Sequence, residues 1–275
     1  HQGMHFVWDQ ELVDDLPDWV LAVTDAEELR SVLTTRARTI FDRYPSLAQL
    51  DVVNEPFEML GHDLYRNHFF EVLGPDYVEE LFAIVAAEAP PHVRLIVNEN
   101  FVEYLPAKAD ALVALAETLL ASGHRLDGVG LQTHLLFDAP DLALLHSTME
   151  RLAALGVSVQ ITELDVPVAP ALADRLAVQA ARYRQVVEAC LAIARCDQVF
   201  VWGLDDSETW YDWLVGPGLD PLLFDAALTP KPAFAAVLDA FAAGRPSPGV
   251  PSAGPAPAAA PPAPSAAAVV PAFTG

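Results

Sequence analysis

The chain has 275 residues, 53% of them hydrophobic, which is enough to bury the core of one large domain. Its 15 basic and 38 acidic residues give a formal net charge of −23. Nucleic acid and anionic membrane surfaces require cationic patches, so we expect neither as a partner. No stretch of 18 or more apolar residues is present, and we expect no membrane span.

Short β-prone runs alternate with helical patterns along the chain. Strands are predicted near residues 3–8, 49–54, 93–98, 126–131, 157–162 and 198–203. Helices are predicted near residues 24–43, 77–88, 107–121, 141–155, 171–194 and 231–242, the first opened by a Thr24–Glu27 capping box. This alternation predicts βα units, which build either an open doubly wound sheet or a barrel. Six strands are fewer than a barrel's eight, so either two are missing at the front or the sheet is open.

The last part of the chain differs in composition. From about residue 244 it consists of Pro, Ala, Ser and Gly with almost no charge. Such a segment cannot bury a core, so residues 244–275 are predicted to be a disordered linker or tail. Residues 1–243 are left as one folded domain.

The two cysteines, Cys190 and Cys196, are six residues apart. Two thiols alone do not make a structural zinc site, and their spacing permits either a local disulfide or two unpaired buried cysteines. A disulfide would imply an oxidising compartment. The chain begins at His1 inside a predicted strand, without a signal peptide, and its Arg, Ala, Pro, Leu and Val bias suggests a GC-rich bacterial gene.

Two glutamates end β-prone runs: Glu55 closes Asp51-Val-Val-Asn-Glu55, and Glu163 lies in Gln160-Ile-Thr-Glu-Leu-Asp165. The carboxyl ends of parallel strands meet at one edge of a sheet, so the two carboxylates can face each other across a cleft. Cleavage of a glycosidic bond uses such a pair, one as acid and one as nucleophile. The sequence therefore predicts a hydrolase of sugars.

Further polar and aromatic side chains fall at the same predicted edge. They are Trp8, Asn54, Asn98, Glu99, Gln132, His134, Asp165, Trp202, Asp205, Asp206 and Trp210. Amides can bind sugar hydroxyls, a histidine can orient a carboxylate, and indole faces can stack on sugar rings. Trp19, in Leu-Pro-Asp-Trp, is interpreted as a packing residue. No glycine-rich phosphate loop or cluster of metal ligands is evident, so we expect no cofactor and no metal.

Five ordered motifs carry a resemblance to a known family. They are DVVNE at 51–55, GVGLQTH at 128–134, ITELD at 161–165, the stretch from Cys190 to Trp210, and PLLFD at 221–225 followed by TPKP at 229–232. Together they resemble glycoside hydrolase family 10, the retaining endo-β-1,4-xylanases. The resemblance extends over roughly residues 3–242.

This resemblance implies a (β/α)8 TIM-barrel fold, shortened at its N-terminus to about six βα units. It implies a secreted, monomeric enzyme acting on xylan or xylo-oligosaccharides. Glu55 would be the acid/base with Asn54 as its partner, and Glu163 the nucleophile, with the two carboxyls about 5–5.5 Å apart. The roles of the other residues follow from the same motifs: Gln132 and His134 surround the nucleophile, Asp165 pairs with His134, Cys190 and Cys196 form a disulfide, and Trp202 and Trp210 roof the cleft.

The sequence departs from the family pattern in three places. The family's Glu-Asn-x-x-Lys-Trp region, which grips the sugar beyond the cleavage point, has no counterpart in this chain. Met4 stands where the family has a histidine before the tryptophan, with His5 adjacent. Asn98-Glu99-Asn100-Phe101 replaces the usual Asn-Asp-Tyr-Asn.

Two other functions remain open. A barrel remnant without its first two strands would have open sheet edges and could bind glycans without hydrolysing them. A related barrel hydrolase acting on another β-glycan would share the two glutamates, but the Gln-Thr-His and Cys-to-Trp motifs argue against it.

Overall fold

The computed structural model describes residues 4–10, 16–136 and 140–244. Within these residues one sheet contains six strands: β1 (His5–Trp8), β2 (Gln49–Asn54), β3 (Arg94–Glu99), β4 (Gly128–Leu131), β5 (Ser158–Leu164) and β6 (Cys196–Val201). Neighbouring strands are consecutive in sequence, and every pair is parallel. A doubly wound sheet reverses its strand order at a switch point. This uninterrupted order therefore belongs to successive barrel units, and the prediction of about six is confirmed.

Helices connect the strands. They are α1 (Asp18–Leu21), α2 (Ala26–Arg43), α3 (His68–Leu73), α4 (Tyr77–Glu88), α5 (Pro106–Ala121), α6 (Leu142–Ala154), α7 (Arg175–Ala192), α8 (Tyr211–Leu214) and α9 (Pro232–Ala243). The six predicted helices are confirmed within a few residues, whereas the short α1, α3 and α8 were not predicted. The predicted capping box is wrong by one residue: Asp25, not Thr24, is the N-cap of α2, and its side chain accepts from the Glu28 amide at 2.9 Å.

The sheet is buried on both faces. The outer face packs against the apolar stripes of the helices. In α2 this stripe includes Leu29, Leu33 and Ala37, whose exposed fractions are 3% or less. The inner face also carries polar side chains that satisfy one another: the amides of Gln49 and Gln160 exchange two hydrogen bonds, 2.8 and 3.0 Å long. Burial on both sides accounts for the continuous apolar runs of the strands.

The disulfide is confirmed. Cys190 near the end of α7 is bonded to Cys196, the first residue of β6. The interpretation of Trp19 as a packing residue is wrong, because this indole is 61% exposed. It lies in α1, a single turn in which only Val20 is buried.

None of the helices in the described part of the chain is both long and apolar enough to cross a membrane. Residues 245–275 lie outside the described ranges. The predicted division into residues 1–243 and 244–275 therefore stays a prediction.

Candidate active site

The carboxyl ends of β1 to β6 bring the predicted site residues together. Asn54 is the register partner of Asn98 on the next strand, and His134 forms a parallel bridge with Asp165. Because the strands are parallel and in register, residues far apart in sequence share one edge. Hydrogen bonds and ring contacts join nine of the side chains predicted at the strand ends: Trp8, Asn54, Glu55, Gln132, His134, Glu163, Asp165, Trp202 and Trp210.

The Glu55 carboxyl is held through both oxygens. Gln132 Nε2 donates to its Oε1 at 2.7 Å, and Trp8 Nε1 donates to its Oε2 at 3.0 Å. The residue is only 8% exposed. Donors on two other strands therefore set the direction of this side chain at the end of β2.

The Glu163 carboxyl is held in the same way by a different pair. Asn98 Nδ2 donates to its Oε1 at 2.7 Å, and His134 Nε2 lies 3.2 Å from its Oε2. Burial lowers the pKa of His134, but Asp165 and then Glu163 more than offset this, raising the pKa from 6.5 to about 10. At neutral pH the ring is an imidazolium, and each of its nitrogens can donate to a carboxylate.

A chain of amides connects the two carboxyls. Asn54 Oδ1 accepts from Asn98 Nδ2 at 2.8 Å and from Gln132 Nε2 at 3.4 Å. Asn98 donates to Glu163, and Gln132 donates to Glu55. Asn54 thus fixes the two amides that hold the two carboxyls, which places the pair in one rigid hydrogen-bonded unit.

The side-chain amide of Asn98 fits against β4 because the neighbouring residue there, Gly130, has no side chain. A Cβ at Gly130 would lie 2.3 Å from Asn98 Oδ1, closer than any side chain tolerates. Thr162 Oγ1 donates to that same Oδ1 at 2.7 Å, which orients the amide with its nitrogen towards Glu163. Gly130 and Thr162 therefore determine how Asn98 is presented.

Asp165 anchors the histidine side of the site. This fully buried carboxylate lies 2.9 Å from His134 Nδ1 and accepts from Trp210 Nε1 at 2.8 Å and from the Tyr211 hydroxyl at 2.7 Å. Burial and then the charge of Asp165 raise the pKa of the Tyr211 hydroxyl, which keeps it a donor. Asp165 thus connects the imidazolium to the segment after β6.

Two indoles border the histidine. The ring centroid of Trp210 lies 5.0 Å from that of His134, and the centroid of Trp202 lies 6.3 Å away. Both indoles keep part of their surface accessible. An open aromatic face next to two carboxyls can receive the apolar face of a sugar ring.

The backbone is strained near the ends of three successive strands. Glu55, Phe101 and Thr133 are not glycines, yet their φ angles are 53°, 55° and 61°. Left-handed backbone of this kind costs free energy and persists where surrounding contacts enforce it, often at functional sites. Strained backbone thus recurs after β2, β3 and β4, which indicates a functional site at this edge of the sheet.

Sequence reasoning placed Asn98 at the predicted edge without giving it a role, and it did not select Tyr211. Asn98 carried a signal, since it ends β3 in register with Asn54. Tyr211 carried none, because nothing in the sequence distinguishes its hydroxyl from that of any other tyrosine beside a tryptophan. Met4 stands where the family has a histidine, and His5 is the adjacent residue. The Nδ1 atom of His5 lies 3.2 Å from Asp51 Oδ2.

No group of three or more His, Cys, Asp or Glu side chains in residues 4–10, 16–136 and 140–244 is arranged to hold a metal ion. The chemistry that the arrangement can perform is that of two carboxyls with fixed directions beside an imidazolium. Such a set suits proton transfer and nucleophilic attack at an acetal carbon.

Comparison with known proteins agrees with this geometry. The family model of glycosyl hydrolase family 10 matches residues 2–240. Endo-1,4-beta-xylanase 3 of Hypocrea jecorina is 32% identical over 240 residues, covering 86% of this chain and 63% of the relative. Endo-1,4-beta-xylanase C of Phanerodontia chrysosporium is 35% identical over 254 residues, covering 88% of this chain and 60% of the relative. The chain thus spans about three-fifths of the length of these curated relatives.

Solved structures give the same result. The native xylanase 10B of Thermotoga maritima has a TM-score of 0.80 at 26% identity, with 88% of this chain and 74% of that chain covered. A mutant of xylanase A from P fluorescens subsp. cellulosa, solved in complex with xylopentaose, has a TM-score of 0.77 at 29% identity, with 86% and 77% covered.

Proposed function

Because the chain belongs to glycosyl hydrolase family 10, we propose that it is a retaining endo-1,4-β-xylanase acting on internal linkages of xylan. The observation that carries the proposal is the pair Glu55 and Glu163, each held through both oxygens and connected through Asn54. The xylopentaose complex of a structural neighbour supports xylo-oligosaccharides as ligands.

In the first step Glu163 attacks the anomeric carbon while the bond from that carbon to the leaving oxygen breaks. Glu55 gives its proton to the leaving oxygen. Its contacts with Gln132 and Trp8 both come from N–H donors, so the carboxyl proton has no acceptor in either of them and remains available to the substrate. The products are a shortened chain and a covalent glycosyl ester on Glu163.

In the second step Glu55, now a carboxylate, removes a proton from water, and the water oxygen attacks the anomeric carbon. The ester bond breaks and Glu163 leaves as a carboxylate. The Asn98 and His134 donors face the oxygens on which that charge returns, which favours departure. The configuration at the anomeric carbon is retained after two inversions.

The test is release of reducing sugar from xylan. We expect the chain to release it and Glu163→Ala to abolish release while the variant still unfolds in one cooperative thermal transition. The matched control is Glu188→Ala, a half-exposed glutamate on α7 that should leave release unchanged. A 2-fluoro-xylobioside inactivator should add its sugar to Glu163, detectable by mass spectrometry of the peptide. Full activity of Glu163→Ala would overturn the proposal.

Xylan capture in a pull-down without release of reducing sugar would instead support a non-hydrolytic glycan-binding protein. The extent of the sheet favours this alternative, since β1 and β6 each pair with a single strand within the described residues. Open edges weaken a sheet and the rigidity of the site that it carries.

We also propose an extracellular location, which the Cys190–Cys196 disulfide supports because such bonds persist in oxidising compartments. Fractionation of the culture into medium and cytoplasm, with thiol labelling of the protein in each fraction, would test it. Protein found only in the cytoplasm, with both thiols reduced, would contradict the proposal.

A further inference from the structure

Lys108 of α5 is a buried lysine that contacts the segment following the proposed acid. Its side chain is 0% exposed, and its Nζ lies 2.9 Å from Glu99 Oε1, which is also fully buried. The same Nζ donates to Asn100 Oδ1 at 2.6 Å and to the backbone carbonyl of Met59 at 3.1 Å. All three hydrogens of the ammonium are thus used, each towards a different acceptor.

Within the described residues, the hydrogen bonds to Glu99 come from N–H donors. Besides Lys108, the backbone amide of Asn100 donates to Oε1 at 2.8 Å, and the backbone amide of Phe57 donates to Oε2 at 3.2 Å. Burial raises the pKa of Glu99 to about 7, Lys108 acts in the opposite direction, and the charge of Glu55 adds to the rise. A set made only of N–H donors suits the ionised carboxylate, so the two residues form a buried ion pair.

A buried ion pair contributes little net stability, because the cost of removing two charges from water offsets their attraction. The role that we infer for this ion pair is to hold nearby backbone in place. Glu99 binds the amide of Phe57 and Lys108 binds the carbonyl of Met59, so the pair holds a short stretch of backbone at two points. That stretch, residues 56–59, follows directly after Glu55.

The backbone of Glu55 requires such support. Its φ of 53° is unfavourable for a glutamate, and the next residue is Pro56, which disfavours compact backbone at the position before it. Gln10 Nε2 donates to the Glu55 carbonyl at 3.0 Å, and the Tyr65 amide donates to the Pro56 carbonyl at 2.8 Å. Gln10 Nε2 also donates to the Phe57 carbonyl at 3.3 Å, and the Tyr77 hydroxyl donates to the Pro56 carbonyl at 3.3 Å. The Glu99–Lys108 pair adds two buried, charge-assisted anchors, at the Phe57 amide and the Met59 carbonyl.

We propose that Glu99 and Lys108 are positioning residues for the acid/base: their ion pair holds residues 56–59 and thereby keeps the Glu55 carboxyl directed at the leaving oxygen. The inference rests on the proposed function. It assigns a task in proton delivery to two residues that contact no reacting atom.

The test variant is Glu99→Gln with Lys108→Met, which removes both charges together and so avoids leaving one buried charge unpaired. Its kcat/KM is measured on phenyl xylobioside, a poor leaving group that needs protonation, and on 2,4-dinitrophenyl xylobioside, which leaves without it. We expect kcat/KM on the phenyl substrate, divided by kcat/KM on the dinitrophenyl substrate, to fall roughly tenfold or more. The reason is that a well-placed acid contributes about 10²–10⁴ in rate. The dinitrophenyl value should stay near that of the wild type.

The matched control is Glu88→Gln with Arg38→Met, the same kind of change at a partly exposed ion pair between α4 and α2. It should leave the substrate ratio unchanged. An equal fall on both substrates in the test variant would indicate general damage and overturn the proposal. Wild-type values on both substrates, with the ion pair removed, would overturn it equally.

Hydrogen exchange separates this inference from the proposed function. Amide exchange over residues 57–59 should accelerate in the test variant and not in the control. If the wild-type chain hydrolyses neither substrate, the proposed function fails. Exchange then decides whether the ion pair holds the segment, and unchanged exchange would overturn the inference by itself.

Discussion

Asn98 Nδ2 on β3 lies 2.7 Å from Glu163 Oε1 on β5 and donates a hydrogen bond to it across β4. The same nitrogen donates to Asn54 Oδ1 at 2.8 Å. One amide therefore orients the proposed nucleophile and connects it to the proposed acid. Its importance follows from the charge on Glu163, since hydrogen bonds to charged groups are the stronger ones.

We expect Asn98→Ala to lower kcat/KM on xylo-oligosaccharides by roughly ten- to hundredfold, the effect of losing a hydrogen bond to a charged group. Steady-state kinetics measures the loss. The control is Asn67→Ala, which removes the side-chain cap of α3 and should cost about 1 kcal/mol of stability without changing kcat/KM. Unchanged kinetics in a folded Asn98→Ala protein would contradict the role of this amide.

His134 should remain charged well above neutral pH, because its pKa is raised from 6.5 to about 10. A group with a raised folded-state pKa contributes stability that is complete below the unfolded value and is lost as pH rises through the folded value. We therefore expect the stability advantage of the wild type over His134→Gln to shrink between pH 6.5 and about 10. Urea unfolding across this range measures it.

The site should respond to the same substitution. His134→Gln removes the positive donor to Glu163 and should lower kcat/KM by roughly tenfold or more. An NMR titration that places the ring pKa near its ordinary value would contradict both expectations for His134.

Glu103 is a fully buried carboxyl whose two oxygens have no hydrogen-bond partner in the described part of the chain. Burial raises its pKa from 4.5 to about 7, against the opposing charges of His134 and Lys108. The folded state thus retains a proton that the unfolded state releases, and this stability contribution is lost as pH rises from 4.5 through about 7.

We expect Glu103→Gln to gain stability relative to the wild type over that interval, by up to about 3 kcal/mol above pH 7. Thermal unfolding at several pH values between 4 and 8 measures the trend. Glu117→Gln on the exposed face of α5 should show no such trend. A difference that is flat with pH would show that the pKa of Glu103 is the same in the folded and unfolded states.

Removal of the disulfide should affect stability and spare the site. The double variant Cys190→Ala with Cys196→Ala removes a cross-link between residues six positions apart. It should lower the free energy of unfolding by about 2 kcal/mol. Cys196 begins β6, at the end of the strand opposite to the site, so kcat/KM should be unchanged. Unfolding curves with and without reductant test this, and a loss of activity before unfolding would contradict it.

Much of the fold could be predicted from local pattern. Apolar runs such as those around Val52 and Ile96 predicted buried parallel strands, and the periodicity of α2 predicted a long helix. The short α1, α3 and α8 could not be predicted, because a four- to six-residue helix has too few positions to show a periodic stripe. Trp19 was misassigned for the same reason, since a single turn does not determine which face is buried.

The sequence by itself determined the chemistry of this site: two glutamates at strand ends, with amides, a histidine and two tryptophans in motifs whose order could be recognised. Only the tertiary structure decided how these groups are held, because hydrogen bonds such as Asn98 to Glu163 and Phe57 to Glu99 join residues more than 40 positions apart. Local pattern carries no information on such contacts. Glu55 and Glu163 are named by their motifs, but their directions depend on the packing of the strands between them.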